Sequence, residues 1–467
     1  MSDPDALSPL QRRLSLAVVW IGIAMSVLDT SIANVALPTL ARELHATASE
    51  SIWVVNAYQL GMMTLLLPLA ACSEMLGYKR VYLTGMVVFA LASSICVVAT
   101  TLPVLAVGRG LQGIGAAGVM GMNAGLLRRI VPPRMMGKTL GANAFIIGAM
   151  TAAAPSVASI IVSLGGWRWL FAINAPFCLF TLAAGIVVLP ANPLAQRRFD
   201  WPGAALCVVL FAALVVGADL VSRNLKPALG GALLALAGLC ALVATRRSWR
   251  QTAPLFPVDL LRIPIFGLSI LTSATSFCAA LIAGVAMPFL FQQGLRRDLL
   301  ETGLLLTPWP LGTALASAVA GYLADRIPSA ILNSAGLAVM ALGLFLLAAM
   351  PADVSNAGIV WRTALCGAGF GFFQSPNNRT MVLSTPRARG GATGGVMATA
   401  RTTGQALGAV LVALLFRILP IGEAGRWALV AAGVLGVAAA IVSSLRLGQT
   451  LPPETAGVYE AEAVADA

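Results

Sequence analysis

The stretch LSLAVVWIGIAMSVLDTSIANVALPT, residues 14–39, decides the class of this protein. Asp29 is the single charged residue among its 26 residues. About 20 consecutive apolar residues suffice for a helix to cross the hydrocarbon core of a bilayer, where every backbone polar group must be bonded within the segment. The stretch therefore predicts a transmembrane helix. Its length and its internal acid argue against a signal peptide.

Similar stretches recur along the whole chain. Of its 467 residues, 58% are apolar and 10% are charged, whereas a soluble domain carries about 25% charged residues. We therefore predict an all-α membrane protein with fourteen transmembrane helices. The predicted spans are 14–39, 50–73, 79–100, 103–127, 137–163, 168–190, 202–221, 226–245, 264–291, 300–324, 329–350, 357–382, 390–418 and 424–446.

The distribution of Lys and Arg predicts the orientation. With a cytoplasmic N-terminus, 19 of the 30 basic residues lie inside and nine outside, where residues near a span end are counted on the side of that end. The other two, Arg109 and Arg401, lie in the interior of spans. This excess inside agrees with the positive-inside rule. Both termini are then cytoplasmic, with an N-terminal tail at 1–13 and a short acidic tail at 448–467 that we expect to be disordered. The net charge of +12 does not indicate nucleic-acid binding, because it is spread between the helices.

Two loop sequences indicate an internal repeat. SEMLGYKR, residues 73–80, follows the second span, and GYLADRIP, residues 321–328, follows the second of the last six spans. Each has an acid and a turn-forming residue at a predicted cytoplasmic helix end. Matching halves are a transporter architecture. We predict a six-helix bundle at 14–190, a linker at 191–263 with two extra transmembrane helices, and a second six-helix bundle at 264–447.

Asp29 and Arg109 are the outstanding ionisable residues within the spans. At 1.5 Å per residue they lie about 15 Å and about 9 Å from the outer ends of the first and fourth helices, nearly in one layer with Tyr58 and Gln59. Burial favours a protonated carboxyl and a nearby guanidinium favours the ionised form. The pair is therefore predicted to be either a proton-coupling site or a structural ion pair that fixes helix packing.

Other polar residues are candidates for a substrate cavity or for gating. Candidates for the cavity are Asn34, Trp53, Asn56, Tyr58, Gln59, Gln112, Asn143, Gln374, Asn377, Asn378 and Arg401. Candidates for the gating loops are Glu74, Gly77, Lys79, Arg80, Gly321, Asp325 and Arg326, which can equally be ordinary topology signals. No cofactor or metal site is predicted, because the seven cysteines lie in apolar stretches without a CxxC pair and the single histidine is in a loop.

These motifs resemble a known family. RGLQGIGAA, residues 109–117, matches the fourth-helix motif RxxQGxGAA of the major facilitator superfamily, within its fourteen-helix drug–proton antiporter family. LDTSIANVALP at 28–38, WRWLFAINAP at 167–176 and RTTGQALG at 401–408 resemble further helices of that family, and the two loops resemble GxLaDrxGrk. In the fifth helix, MTAAAPSVAS at 150–159 keeps the proline of the antiporter motif but has Ala and Ser where the family has glycines.

The resemblance implies a secondary active transporter of the bacterial inner membrane and not an enzyme. Its expected activity is proton-coupled export of small lipophilic or amphipathic compounds, by a monomer that contacts small molecules, protons and lipid. Alternatives are transport of one specific metabolite in either direction, a membrane-embedded enzyme or sensor, and a channel. The spans contain no histidine and no catalytic constellation, and a channel does not need duplicated loops.

Overall fold

A computed structural model describes residues 7–191, 199–222, 226–248, 260–324, 326–385 and 390–449. All regular elements within these ranges are helical. The helices are α1 Pro9–Glu43, α2 Ala48–Ser51, α3 Trp53–Leu76, α4 Tyr78–Val98, α5 Leu102–Ile130, α6 Pro133–Gly165, α7 Trp169–Ala172, α8 Asn174–Val188, α9 Trp201–Ser222, α10 Pro227–Ser248, α11 Pro264–Phe289, α12 Leu299–Leu306, α13 Pro308–Leu323, α14 Ser329–Ala348, α15 Asn356–Leu383, α16 Gly390–Ile418 and α17 Ile421–Ser444.

Thirteen helices of the described residues are long and apolar enough to cross a membrane, and they coincide with thirteen of the predicted spans. The other predicted span, 357–382, is the 28-residue helix α15. Its polar side chains, including Arg362, Gln374 and Arg379, lower its hydropathy below that of the others. The all-helical membrane fold is therefore confirmed. Part of the predicted N-terminal tail, 1–6, and most of the C-terminal tail, 450–467, lie outside the described residues.

Three of the spans consist of two helices with a break at a single residue. The breaks occur at Ile52 between α2 and α3, at Ile173 between α7 and α8, and at Thr307 between α12 and α13. Pro308 begins α13, where its missing N–H is tolerated because the first turn of a helix leaves its N–H groups unbonded. The sequence indicated continuous spans here, because hydropathy does not report a one-residue change in backbone direction.

Many large apolar side chains are exposed along the helices. Leu164, Val187 and Leu315 are 84%, 76% and 73% exposed. Apolar surface of this extent is costly in water, whereas lipid tails are as apolar as these side chains. The exposed side chains therefore fit a lipid environment.

The chain forms two compact units. Unit 1 comprises residues 1–241, 284–307 and 409–425, and unit 2 comprises 242–283, 308–408 and 426–467.

In unit 1, α5 packs closely against both α3 and α4. A Cβ atom on Gly113 would overlap the carbonyl oxygen of Tyr58 in α3, and one on Gly115 would lie 2.6 Å from the backbone nitrogen of Phe89 in α4. Small residues allow helix backbones to approach to this extent. The glycines of the RGLQGIGAA motif are therefore packing positions.

The same packing occurs in unit 2. There α15 packs against α13 and α14. A Cβ on Gly367 would overlap the carbonyl oxygen of Trp309 in α13, and one on Gly369 would overlap the backbone nitrogen of Met340 in α14. In both units, two glycines that are two residues apart thus allow one helix to approach two neighbouring helices closely.

Unit 1 also brings together helices that are far apart in the sequence. The hydroxyls of Ser156 in α6 and Thr307 at the end of α12 are 2.7 Å apart, and a Cβ on Gly303 would overlap Ser159 of α6. Ser49 in α2 donates to the carbonyl oxygen of Ala413 in α16 at 2.9 Å. The motif at 150–159 lies in α6, the fifth transmembrane span. Although it has Ala and Ser in place of glycines, it therefore still packs closely against α12.

Candidate functional site

Asp29 and Arg109 form an ion pair in the interior of unit 1. Arg109 Nη1 in α5 lies 2.5 Å from Oδ2 of Asp29 in α1. Asp29 is 2% exposed and Arg109 is 1% exposed. Two buried charges are stable only when they are paired and when their remaining hydrogen-bonding positions are filled. The structure thus brings together the two residues that the sequence had assigned to one layer.

Neutral side chains from α5 and from two further helices, α4 and α8, complete the environment of Asp29. Asn174 Nδ2 donates to Asp29 Oδ1 at 2.8 Å, and Gln112 Nε2 approaches the same oxygen at 3.3 Å. Gln112 Oε1 accepts from Arg109 Nη1 at 2.8 Å, while Gln112 Nε2 donates to Ser93 Oγ at 2.7 Å. The carboxylate therefore accepts hydrogen bonds on both oxygens, and Gln112 bridges its charge to that of Arg109.

The other side of the guanidinium is held by α3 and by an aromatic ring from α7. Arg109 Nε donates to the carbonyl oxygen of Val54 at 3.2 Å. The Tyr58 ring lies 4.4 Å from the guanidinium carbon and the Phe171 ring 5.7 Å from it. Aromatic faces attract cations, and the interaction strengthens when water is absent. Arg109 is thus fixed by a carboxylate, two carbonyl oxygens and two rings.

The local sequence explains why these groups meet. Arg109 and Gln112 are three residues apart, so they are neighbours on one face of α5. Gly113 lets α3 approach until Tyr58 covers the guanidinium. The pair is therefore a consequence of the close α3–α5 contact as much as of the charges themselves.

Three members of this site were not among the sequence-based candidates: Ser93, Phe171 and Asn174. Phe171 and Asn174 lie in the stretch WRWLFAINAP, which was recognised as a motif without a role for either residue. Ser93 gave no signal beyond a hydroxyl in an apolar helix. Its position became evident only from its bonds to Gln112 and, at 3.4 Å, to Asn174.

The other cavity candidates of unit 1 have different environments. Trp53 Nε1 donates to Asp219 Oδ2 in α9 at 3.1 Å, so this tryptophan joins α3 to one of the two extra helices. Asn56 is fully buried, and neither of its amide atoms has a partner among the described residues. Asn34 is partly buried, whereas Gln59 and Asn143 are 1% and 8% exposed. None of these side chains bonds to Asp29 or Arg109 within the described ranges.

The candidates of unit 2 are distributed along α15 and α16. Asn377 is buried and bonds to the carbonyl oxygen of Ser269 and to Arg446, at 3.3 and 2.8 Å. Asn378 is exposed and Gln374 is partly buried. Arg401 is partly buried, with its guanidinium carbon 5.9 Å from the centre of the Phe277 ring.

The first predicted gating loop is described except for the side chain of Glu74, a residue of α3. Gly77 has φ +97° and separates α3 from α4. Lys79 Nζ donates to the carbonyl oxygen of Ile186 near the end of α8 at 2.7 Å, and Arg80 is exposed. The free carbonyl groups at the C-terminal end of a helix, here α8, stabilise a nearby cation such as the Lys79 ammonium group. Lys79 thus ties this loop to the last helix of its own bundle.

In the second loop, Asp325 lies outside the described residues. Arg326 stacks on Tyr322, with 5.1 Å between the guanidinium carbon and the ring centre. Arg379 of α15 donates to the carbonyl oxygen of Ala324 at 2.6 Å. Gly321 of α13 lies close to Ser375 of α15. A Cβ atom on Gly321 would be 3.4 Å from the Ser375 hydroxyl, which is an ordinary contact distance.

Comparisons with known proteins agree with this fold. The sequence model of the Major Facilitator Superfamily matches residues 19–409 and, in an overlapping match, residues 269–463. A solved structure of a bacterial homolog to the human lysosomal transporter Spinster, inward-facing and unoccupied, matches with a TM-score of 0.69 at 14% identity. That match covers 94% of this chain and 97% of the other, and it concerns the fold alone.

Several relatives are similar along most of their length. The uncharacterized transporter YebQ of Escherichia coli (strain K12) is 44% identical over 448 residues, which are 95% of this chain and 98% of YebQ. The riboflavin transporter RibZ of Clostridioides difficile (strain 630) is 27% identical over 87% of this chain and 88% of its own. The multidrug resistance protein Stp of Mycobacterium tuberculosis is 29% identical over 85% of this chain and 74% of its own. With a family match along nearly the whole chain and a close relative of the same length, this chain belongs to the Major Facilitator Superfamily and is a membrane transporter of that fold.

Proposed function

We propose that this transporter exports small lipophilic or amphipathic compounds across the bacterial inner membrane in exchange for protons, by alternating access. Asp29 is the proton-binding group, and Arg109 is the group that responds to its charge. The observation that carries the proposal is the burial of this pair among Gln112, Asn174 and Ser93 in a helix bundle. Ionisable residues within a membrane are costly and mark transport pathways.

The geometry supports a way to couple protonation to helix packing. A proton on Asp29 removes the charge that attracts Arg109 Nη1, while the bonds of Arg109 to Gln112 Oε1 and to the Val54 carbonyl do not depend on that charge. Protonation therefore weakens the link between α1 and α5 and leaves the contact between α3 and α5 intact. If this link between helices differs in strength between two conformations of the transporter, proton binding shifts the equilibrium between them.

Relatives support export without defining the cargo. Among them are a multidrug resistance protein and a tetracenomycin C resistance and export protein, whereas YebQ is an uncharacterized transporter. Apolar cavities with a few amide groups suit lipophilic molecules that carry some polar atoms. A cytoplasmic position for both termini rests on the excess of basic residues in the predicted inner loops. The proposed working unit is a monomer.

A second candidate is the transport of one specific metabolite by the same fold. The similarity to a riboflavin transporter favours it. The two candidates differ in breadth: a multidrug exporter protects cells against many unrelated compounds, whereas a metabolite transporter affects one. Survival of drug-sensitive cells on a compound library distinguishes them.

The test of proton coupling uses everted vesicles that contain the wild type or Asp29→Asn. We expect a substrate found in the survival assay to accumulate only with an imposed proton gradient, and Asp29→Asn to abolish that accumulation. Asp219→Asn is the matched control, because Asp219 is also buried in unit 1 but bonds to Trp53, a neutral donor.

The same variants separate a proton site from a structural ion pair. Asp29→Asn should remain inserted and elute as a single species in detergent. Undiminished gradient-driven transport by Asp29→Asn would reject the proposal. If Asp29→Asn loses transport and also unfolds at a clearly lower temperature than the wild type, the pair would be assigned to helix packing instead.

A further inference from the structure

Arg401 is an intramembrane cation whose environment differs from that of Arg109. It lies eight residues after Thr393, where the apolar span of α16 begins, so it is about 12 Å along the helix from that end. Within the described ranges its guanidinium has no hydrogen bond and no ion pair, and its contact is the ring of Phe277 at 5.9 Å. The side chain is partly exposed, so the neighbouring helices do not enclose it completely.

The helices around Arg401 offer no negative charge. The sequences of α11, α13, α14, α15 and α16 contain no Asp and no Glu. A cation within a membrane is costly when it is neither paired nor hydrated. One aromatic face offsets only a part of that cost. Among the described residues, Arg401 therefore has no anionic partner of the kind that Asp29 provides for Arg109.

Arg446, in the same unit, is an arginine whose guanidinium has hydrogen-bond partners within the protein. Its Nη1 donates to Ser269 Oγ and to Asn377 Oδ1, both at 2.8 Å, and its Nη2 donates to Ser443 Oγ. Neutral oxygens occupy its donors, so no external ligand is required. The five N–H donors of Arg401 have no comparable partners among the described residues.

The position of Arg401 is fixed by packing. A Cβ on Gly404 would overlap the carbonyl oxygen of Ala274, and one on Gly408 would lie 2.6 Å from that of Cys278, so α16 lies directly on α11. This contact holds Arg401 beside Phe277. The Phe277 ring meets Phe370 edge to face at 5.3 Å. A row of rings thus begins at the guanidinium and continues along α15.

We propose that Arg401, Phe277 and Phe370 form a subsite for the carboxylate group of an aromatic substrate. The guanidinium binds two oxygens of the anion with parallel N–H donors, which arginine presents in a fixed plane. The rings contact the apolar body of the substrate edge to face or offset. The proposal rests on the transport function proposed above and narrows it: the cargo carries a negative charge, in contrast to lipophilic cations.

Equilibrium binding tests this subsite without any gradient. Protein in nanodiscs of phosphatidylcholine is titrated calorimetrically with matched sets of an aromatic carboxylate, its methyl ester and the corresponding amine, such as 2-naphthoate, methyl 2-naphthoate and 2-naphthylmethylamine. We expect the wild type to favour the carboxylate about 10-fold or more over the ester, because the neutral ester cannot form charge-assisted hydrogen bonds with the guanidinium.

Variants connect that preference to Arg401. Arg401→Gln should bind carboxylate and ester equally, Arg401→Lys should retain part of the preference, and Arg401→Glu should favour the amine. Arg417→Ala is the control, because Arg417 is an exposed residue in the last turn of the same helix. Monodispersity in detergent verifies that each variant is folded.

The outcomes are distinct from those of the proton-coupling test. Asp29→Asn should keep the carboxylate preference even when it has lost gradient-driven transport. A wild type that binds ester or amine as tightly as carboxylate, or that binds no carboxylate of a set of a dozen aromatic acids, overturns the subsite. So does a preference that survives in Arg401→Gln.

Discussion

The side-chain amide of Asn174 donates to Oδ1 of Asp29 across 2.8 Å, and this bond joins the first residue of α8 to the middle of α1. Gln112 of α5 approaches the same oxygen, and Arg109 takes the other one. A single carboxylate is therefore the meeting point of three transmembrane segments. A change in its charge reaches all three of them.

The first prediction concerns Asn174. Replacing it with leucine removes a donor to a buried carboxylate, and a hydrogen bond to a charged group contributes about 1.5–3 kcal/mol. We expect Asn174→Leu to lower the rate of gradient-driven transport about 10-fold or more in everted vesicles. Asn333→Leu is the control, since Asn333 is fully buried in α14 and its amide has no partner among the described residues. Equal rates in the two variants would remove Asn174 from the site.

The second prediction concerns the shape of the cation at position 109. Arg109 uses Nη1 for Asp29 and Gln112, and Nε for the Val54 carbonyl. A lysine keeps the charge but has one nitrogen, so it cannot fill both positions. We expect both Arg109→Lys and Arg109→Ala to lose at least about 90% of gradient-driven transport, corresponding to about 1.4 kcal/mol. Full activity of the lysine variant would mean that charge alone suffices there.

The third prediction concerns stability. A Cβ on Gly113 would overlap the Tyr58 carbonyl oxygen, whereas a Cβ on Gly148 of α6 would have nothing within 4 Å. Overpacking costs about 1–3 kcal/mol, and alanine is a better helix former than glycine. Thermal unfolding in detergent should therefore occur at a lower temperature for Gly113→Ala and at an equal or higher temperature for Gly148→Ala. The opposite order would contradict the close α3–α5 contact.

The fourth prediction concerns the contact between α6 and α12 in unit 1. The hydroxyls of Ser156 and Thr307 are 2.7 Å apart, a separation from which two cysteines can form a disulfide. If transport requires this contact to open, oxidation of the Ser156→Cys, Thr307→Cys double variant should stop transport, and a thiol reductant should restore it. The measurement is uptake by everted vesicles before and after reduction.

The control for that experiment pairs Thr307→Cys with Ser163→Cys, an exposed position on the same helix α6. It should not cross-link. The seven native cysteines are free, and six of them are buried, so background oxidation should be low. Normal transport by the cross-linked protein would show that α6 and α12 stay together throughout the cycle.

Much of the fold could be predicted from local properties. The predicted bounds of the first span, 14–39, fall within α1, Pro9–Glu43, and those of the third, 79–100, nearly coincide with α4, Tyr78–Val98. Span length and hydropathy are local requirements of a bilayer, so each can be evaluated without knowledge of the neighbouring helices. The one-residue breaks within spans were missed for the complementary reason, since they do not change hydropathy.

The sequence by itself determined that the chain is a helical membrane protein, where its spans lie, and that Asp29 and Arg109 are its exceptional intramembrane charges. Only the tertiary structure decided that Asn174 and Ser93 share the site, and that Arg401 lies beside the Phe277 ring with no carboxylate partner in the part of the chain that the structure describes. The physical reason is that contacts between helices depend on their rotation and register. These are fixed by glycine contacts between backbones, such as that of Gly113 with Tyr58, and they leave no periodic signal in either helix alone.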